Sequence, residues 1–239
     1  MAHNFGSLVF TPVVKALQEK YGCRRQYARM ETGGASPQHL GPEESACIAE
    51  RDSFYMSTTV GATGWPYIQH RGGPKGFLKV IDDHTIAFAD FLGNKQFIST
   101  GNIGTDIRVA LIMVDYPRQA RLKLLGRAEV FEGERGREWI ERLREAGYMA
   151  VIERAYKIKV EGFDWNCPQH ITPRFTADQI QEALAPFERC LQDLAGVYCG
   201  RRRQGDKALC CEEVTRGSRY YPRWVICSWS NPRVLAKAC

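Results

Sequence analysis

Alternating apolar and polar residues dominate the chain between residues 53 and 163 and predict a protein built mainly from β-strands. Seven runs rich in β-branched and aromatic residues are bounded by glycine, proline or aspartate. They cover residues 53–60, 66–71, 76–81, 85–91, 107–115, 121–131 and 157–163. Short turns join the first four runs without a crossover helix. This favours an antiparallel sheet, closed as a small barrel with helices outside, over a doubly wound fold.

Helical signals flank these runs. Thr11 and Pro12 are typical of a helix start, and Gly22 is a helix stop. Further predicted elements are a helix from Pro42, helices over Asn94–Thr100 and Glu134–Ala146, and a loop over residues 24–41.

A last helix is predicted to begin at Thr176, which forms a capping box with Gln179. Its apolar residues follow a heptad-like spacing, and Pro186 is predicted to kink it. These apolar residues are Ile180, Leu184, Phe187, Leu191 and Leu194.

Composition changes sharply near residue 200. The 239 residues carry a formal charge of +6, yet residues 1–200 hold 24 basic and 24 acidic side chains. Residues 201–239 hold nine basic and three acidic ones, and five of the nine cysteines lie at or after Cys199. We therefore divide the sequence into a helical segment packed on the barrel, a barrel domain, a C-terminal helix and a basic, cysteine-rich tail. Their bounds are 1–52, 53–175, 176–198 and 199–239.

The tail could bind nucleic acid through Arg201–Arg203, with Tyr220, Tyr221, Trp224 and Trp229 as stacking partners. A loosely attached extension is the alternative, and we favour it, so no nucleic-acid partner is predicted. The cysteine spacing in the tail is irregular and predicts no metal site.

Targeting signals are not evident in the sequence. The first seven residues lack a basic stretch followed by an apolar one, and no run of apolar residues reaches membrane-spanning length. Four scattered cysteines in the body fit a reducing compartment. The expected location is the cytoplasm, with no membrane partner.

Candidate chemistry begins with the polar residues Gln69, His70 and Arg71, which end a predicted strand beside a glycine pair. Nucleotide-binding loops, zinc-protease motifs and the nucleophile elbow are not found. Arg71 and Lys95 could converge on a phosphate, helped by the free N–H groups of a helix start. The alternative is a glycine-rich hairpin with solvated charges.

A second cluster runs from Asp164 to His170 and combines an indole, two amides and an imidazole just after a strand. Such a set suits recognition of a planar polar ligand, and a buried Trp165 anchoring a chain reversal is the alternative. Cys167 and His170 could also be a nucleophile and a base, but no third orienting group is identifiable. The same pair lacks the spacing of metal ligands.

Taken together, these motifs resemble the pyridoxamine 5'-phosphate oxidase-related, FMN-binding split-barrel family. The resemblance covers most of residues 8–196, and its most specific stretches are 54–58, 64–74, 88–96, 121–128 and 164–170. It implies a mainly β fold with flanking helices, namely an antiparallel six-stranded Greek-key split barrel. It also implies a homodimer with FMN at the subunit interface.

Site residues follow from the same resemblance. It implies that residues 69–71 face the flavin and its phosphate, that residues 94–96 hold the phosphate, and that residues 77–79 run along the ring. It also implies that Arg121 lies on a strand that meets the cofactor from the far side, and that the loop from Trp165 to His170 covers the flavin or the substrate space. The full set is Gln69, His70, Arg71, Phe77, Leu78, Lys79, Asn94, Lys95, Gln96, Arg121, Trp165, Asn166, Gln169 and His170.

The C-terminus departs from true pyridoxamine 5'-phosphate oxidases, because the region of their Arg- and His-bearing closing strand is a helix here. The prediction is therefore an FMN-dependent oxidoreductase that acts on another small organic substrate, with a nicotinamide as a possible electron donor. A non-catalytic flavin-binding or storage protein and a haem-binding split barrel are the alternatives. No catalytic side chain and no metal ligand are predicted.

Overall fold

The computed structural model describes residues 5–31, 39–166 and 168–202, with side chains as far as residue 195. The chain divides into two compact units, Met1–Phe175 and Thr176–Cys239. The interpretations that concern Cys167 and the basic tail beyond residue 202 lie outside the described residues. None of the described helices combines the length and apolar composition that a membrane crossing requires.

Seven strands form a single sheet in the first unit, and they correspond to the seven runs in the sequence. Their bounds are β1 Ser53–Thr59, β2 Pro66–Gly72, β3 Leu78–Asp82, β4 Thr85–Phe91, β5 Arg108–Asp115, β6 Ala120–Glu132 and β7 Ile152–Asn166. The last strand is much longer than the predicted 157–163, because it pairs with β4 along its first half and with β6 along nearly all of its length.

The strands lie in the order β2-β1-β5-β6-β7-β4-β3, and every neighbouring pair is antiparallel. The predicted mainly β, antiparallel architecture is therefore confirmed. The sheet has seven strands rather than six and is not closed by a backbone ladder, since β2 and β3 are its two edges. It curls instead, so that side chains of β2 reach β4 and β7.

Helices and short turns connect and flank the strands. Their bounds are α1 Phe5–Val9, α2 Pro12–Lys20, α3 Arg24–Tyr27, α4 Pro42–Ala49, α5 Ile98–Ile103, α6 Gly133–Leu143 and α7 Ala177–Arg202, with a 3-10 turn at Ala28–Met30. Thr11 caps α2 as predicted, since its hydroxyl accepts a hydrogen bond from Val14 N at 3.3 Å. The prediction of a loop over 24–41 was wrong at its start, where α3 and the 3-10 turn form.

Aromatic rings fill the core between the two halves of the curled sheet. Phe54 of β1 packs edge-on against Phe88 of β4 with 5.1 Å between ring centroids, and it stacks on Phe77 at 5.7 Å. Phe88 in turn stacks on Tyr156 of β7 at 4.9 Å. All four side chains are buried. Since such pairs contribute about 0.5–1.5 kcal/mol each beyond their buried area, this column fixes the curvature of the sheet.

On the outer face of the sheet, α6 covers the small residues of β4 and β7. Leu143 is buried against Ala87, Ala89 and Ala155, and Trp139 packs beside them. The helix holds β4 and β7 side by side, and the charged residues described next lie near one end of that strand pair.

Candidate functional site

A cleft of about 290 Å³ lies where the edge strand β2 approaches β4, β7 and the residues that lead into α5. We call it the Arg71 cleft. Tyr67, Gln69 and Arg71 line it from alternate positions of β2, and residues 93–100 form another wall. Asp90, Phe91, Glu153 and Arg154 complete the lining. This volume is at the small end of the roughly 300–1,000 Å³ usual for ligand sites, so the cleft suits a compact polar group.

Asp90 joins two arginines beside the cleft. It is the cross-strand partner of Arg154 in the β4–β7 register, and their Oδ2 and Nη1 atoms are 3.3 Å apart. From across the cleft, Arg71 Nη1 donates to Asp90 Oδ1. Burial raises the pKa of Asp90, and the two guanidinium groups oppose that shift. The three side chains are only 7–13% exposed, so this ion triad is largely desolvated.

Tyr156 contacts Arg71 through both its ring and its phenol oxygen. The guanidinium carbon lies 5.1 Å from the centroid of the tyrosine ring, and Nη2 is 3.5 Å from the phenol oxygen. The phenol also shares a 2.7 Å hydrogen bond with Thr100 Oγ1. Burial raises the pKa of Tyr156, so the phenol stays neutral as a hydrogen-bonding platform. The aromatic core therefore positions the arginine.

The loop before α5 is held in an unusual backbone conformation. Lys95 and Phe97 both have a positive φ, at 59° and 55°, which non-glycine residues adopt at a cost of about 1 kcal/mol or more each. Asn94 Oδ1 accepts from Gln96 N at 3.2 Å, and the Phe97 ring lies 4.8 Å from the Arg154 guanidinium carbon. These contacts keep Lys95 on the wall of the cleft.

Two hydrogen-bond donors in this site lack a partner. The Nε atoms of Arg71 and Arg154 are buried, and neither has a hydrogen-bond partner within the described chain. A buried unsatisfied donor costs about 1–3 kcal/mol, so a bound anion would recover that cost. Arg71, Lys95 and Arg154 outnumber the acidic residues of the lining, Asp90 and Glu153, by one charge, and Glu132 lies outside the lining with Oε2 at 4.0 Å from Arg154 Nε. This donor set fits a phosphate group.

Five of the fourteen residues implied by the resemblance meet at this cleft. The phosphate-binding hypothesis placed Arg71 and Lys95 together, and the structure does so even though β2 and the α5 loop are far apart in sequence. The five residues are Gln69, Arg71, Asn94, Lys95 and Gln96.

Four others lie elsewhere in the sheet. His70 points to the opposite face of β2, where its ring packs edge-on against Tyr55 at 5.4 Å. Phe77 and Leu78 are buried in the core. Lys79 forms an ion pair with Glu145.

The remaining five lie at the end of the β6–β7 pair that is far from the cleft, or follow it. Trp165 Nε1 donates to Glu44 Oε1 at 2.7 Å, and its partly buried ring packs against the core. Arg121 and Asn166 are cross-strand partners, and Gln169 and His170 are exposed. Trp165 lies eleven positions after Arg154 in β7, which corresponds to about 36 Å along an extended strand.

Sequence reasoning missed Asp90, Ser99, Thr100, Arg154 and Tyr156. Ser99 Oγ donates to Gln69 Oε1 at 2.7 Å and Arg154 pairs with Asp90. Asp90 interrupts the otherwise uncharged strand β4, which is the signal that could have pointed to it. Its pairing with Arg154 depends on a register that local sequence does not reveal.

Comparison with known proteins gave matches to solved structures alone, since no family model and no curated protein matches the chain. One match is HupZ of Group A Streptococcus, at 19% identity and a TM-score of 0.43, over 57% of this chain and 100% of that one. The chain is similar to solved proteins of the pyridoxamine 5'-phosphate oxidase family.

Two further solved structures match the chain. A putative pyridoxamine 5'-phosphate oxidase from Lactobacillus delbrueckii matches at 19% identity and a TM-score of 0.40, over 53% of this chain and 93% of that one. An FMN-binding protein from Syntrophomonas wolfei matches at 12% identity and a TM-score of 0.41, over 65% and 97%. At such low identities and TM-scores, these likenesses transfer no function to this chain.

Proposed function

We propose that this protein binds FMN, with the cofactor phosphate held in the Arg71 cleft, and that it acts as an FMN-dependent oxidoreductase on a small organic molecule. One observation carries the proposal. Two arginines with unsatisfied buried Nε donors line a small polar cleft together with Lys95. A phosphate monoester carries nearly two negative charges near neutral pH, and arginine recognises such oxygens through paired hydrogen bonds.

Some residues of the cleft would bind the phosphate, and others position the binding groups. Arg71, Lys95 and Arg154 would hold the phosphate by charge-assisted hydrogen bonds, which are about twice as strong as neutral ones. Asp90 and Tyr156 position Arg71 before a ligand arrives, so less ordering is lost on binding. The bound flavin would supply hydride transfer at its N5 atom, and the chain supplies binding, orientation and control of access.

A homodimer forms part of the same proposal. Tyr55 and Ile68 leave an apolar depression on the sheet face opposite the Arg71 side chain, next to Phe5, Ile112 and Leu125. Exposed apolar surface of this kind is typical of an association face. Trp165 and His170 lie at the other end of β7 from the Arg71 cleft, so a second copy would be needed to bring that loop to the cofactor.

The first experiment is a visible absorption spectrum of the untreated purified protein, followed by titration with FMN and with riboflavin. We expect flavin bands, and tight binding of FMN but not of riboflavin, since riboflavin lacks the phosphate. A colourless protein that takes up neither flavin would refute the proposal, and a Soret band would assign haem instead.

A matched pair of variants tests the cleft itself. Arg71→Gln should weaken FMN binding by about tenfold to a hundredfold, because it removes a charge-assisted contact worth about 1.5–3 kcal/mol. Arg108→Gln is the control, since Arg108 is exposed and pairs with Asp106 away from the cleft. Reduction of the bound flavin by a nicotinamide and turnover with an acceptor would separate an enzyme from a storage protein.

A further inference from the structure

A second cluster of ligand-type side chains lies outside the Arg71 cleft. His39, Asp83 and His84 each offer one ligand atom, and these three atoms lie within 4.8 Å of one another. His39 Nδ1 is 3.0 Å from Asp83 Oδ2, and His84 Nε2 is 3.9 Å from Asp83 Oδ1. We call these three residues the His39 cluster. It joins the segment before α4 to the turn between β3 and β4.

The backbone holds both parts of the cluster in place. Leu40 N donates to Asp83 O at 2.8 Å, and the Leu40 side chain is buried in the core. In the turn, His84 N donates to Asp82 Oδ1 at 2.8 Å, and Val160 N of β7 donates to His84 O at 2.7 Å. Asp82 is thus engaged in the turn, while the carboxylate of Asp83 faces the two imidazoles.

The distances suit a metal ion with nitrogen and oxygen ligands. Zinc binds such atoms at about 2.0–2.2 Å, which places neighbouring ligands of a tetrahedral site about 3.3 Å apart. The separations of 3.0 and 3.9 Å, which run to the two different carboxylate oxygens of Asp83, lie on either side of that value. The imidazole rings lie 4.2 Å apart by centroid, and a metal ion binds imidazole in its neutral form.

We propose that His39, Asp83 and His84 form a binding site for a divalent first-row transition metal, with Zn²⁺ as the natural probe. The protein supplies three ligands, and the fourth position is open to water, because all three side chains are at least 32% exposed. The metal would tie the segment before α4 to the β3–β4 turn. Sequence spacing could not indicate the site, since 44 residues separate His39 from Asp83.

The test is calorimetric titration of the full chain with Zn²⁺, after accessible thiols have been blocked with iodoacetamide so that its cysteines do not compete. His39→Gln and His84→Gln are the test variants. His70→Gln and His170→Gln are matched controls, since both histidines are exposed and lie outside the cluster. We expect wild type and controls to bind one zinc equivalent that both test variants bind at least about tenfold more weakly. Loss of even an outer-shell partner costs about that much.

A second readout covers the case in which a variant folds poorly. In the untreated wild-type protein, Zn²⁺ should shift or broaden the ring-proton NMR signals of His39 and His84 and leave those of His70 and His170 unchanged. Equal zinc affinity in all five proteins, or ring signals of the cluster that do not respond, would overturn the proposal.

Discussion

Asp90 is the shared counter-charge of two buried arginines, so its removal should be costly. In Asp90→Asn the carboxylate becomes a neutral amide of the same shape. Arg71 and Arg154 then lose their common charge partner, although Arg154 keeps the carboxylate of Glu153 at 2.8 Å. With side chains only 13% and 7% exposed, neither guanidinium can recover its full hydration.

The expected magnitude follows from that burial. Breaking a buried ion pair by removing one partner costs about 3–5 kcal/mol, because an uncompensated charge remains inside. The amide oxygen can still accept the hydrogen bond from Arg71, and Glu153 still pairs with Arg154, so we expect about 3 kcal/mol, at the lower end. For a domain of this size that loss lowers the melting temperature by roughly 6–12 °C.

Urea unfolding followed by circular dichroism measures the loss. Asp52→Asn is the matched control, since Asp52 is exposed and bonds with the neighbouring Ser53 hydroxyl. The control should unfold at the wild-type urea concentration. An Asp90→Asn protein whose free energy of unfolding lies within about 1 kcal/mol of the wild-type value would refute the reasoning. An ion pair in contact with solvent contributes at most about that much to stability.

Two further predictions concern the core. Because burial raises the pKa of Tyr156 above its ordinary value of 10.0, the unfolded chain loses this proton before the native one. Stability should therefore fall as the pH rises above 10, and the fall should be shallower in Tyr156→Phe, as measured by urea unfolding across that range. A Cβ at Gly126 would lie 2.6 Å from both Ile158 Cγ2 and Lys159 O. Gly126→Ala should thus cost about 1–3 kcal/mol in urea unfolding. Gly101→Ala, in open space on α5, should cost nothing; an equal loss in both variants would contradict the steric explanation.

Local signals predicted the elements well where short-range chemistry decides them. The Thr176 capping box forms as expected, with Gln179 N donating to the threonine hydroxyl at 3.2 Å and Thr176 N donating to Gln179 Oε1 at 2.9 Å. The turn between β3 and β4 also lies at its predicted place. Caps and turns depend on neighbours within four residues, which the sequence shows directly.

Contacts between residues far apart in sequence determine the features that local signals did not predict. The helix predicted over Asn94–Thr100 begins only at Ile98, because Lys95 and Phe97 take left-handed conformations beside Arg154. That arginine comes from β7, more than fifty residues later in the chain. The partners of Arg71 likewise come from β4 and β7, so the sequence indicated two cations of the cleft, Arg71 and Lys95, but not the carboxylate that pairs with Arg71.

The open sheet has a consequence for how ligand binding and rigidity are related. β2 is an edge strand, and across the gap in the sheet it is joined to β4 by Arg71 and to α5 by Gln69. An anion that accepts hydrogen bonds from Arg71 therefore competes with Asp90 for the side chain that joins this edge strand to β4. The rate of hydrogen exchange of the β2 backbone amides should therefore report whether the cleft is occupied, because the contact that joins β2 to β4 depends on what Arg71 binds.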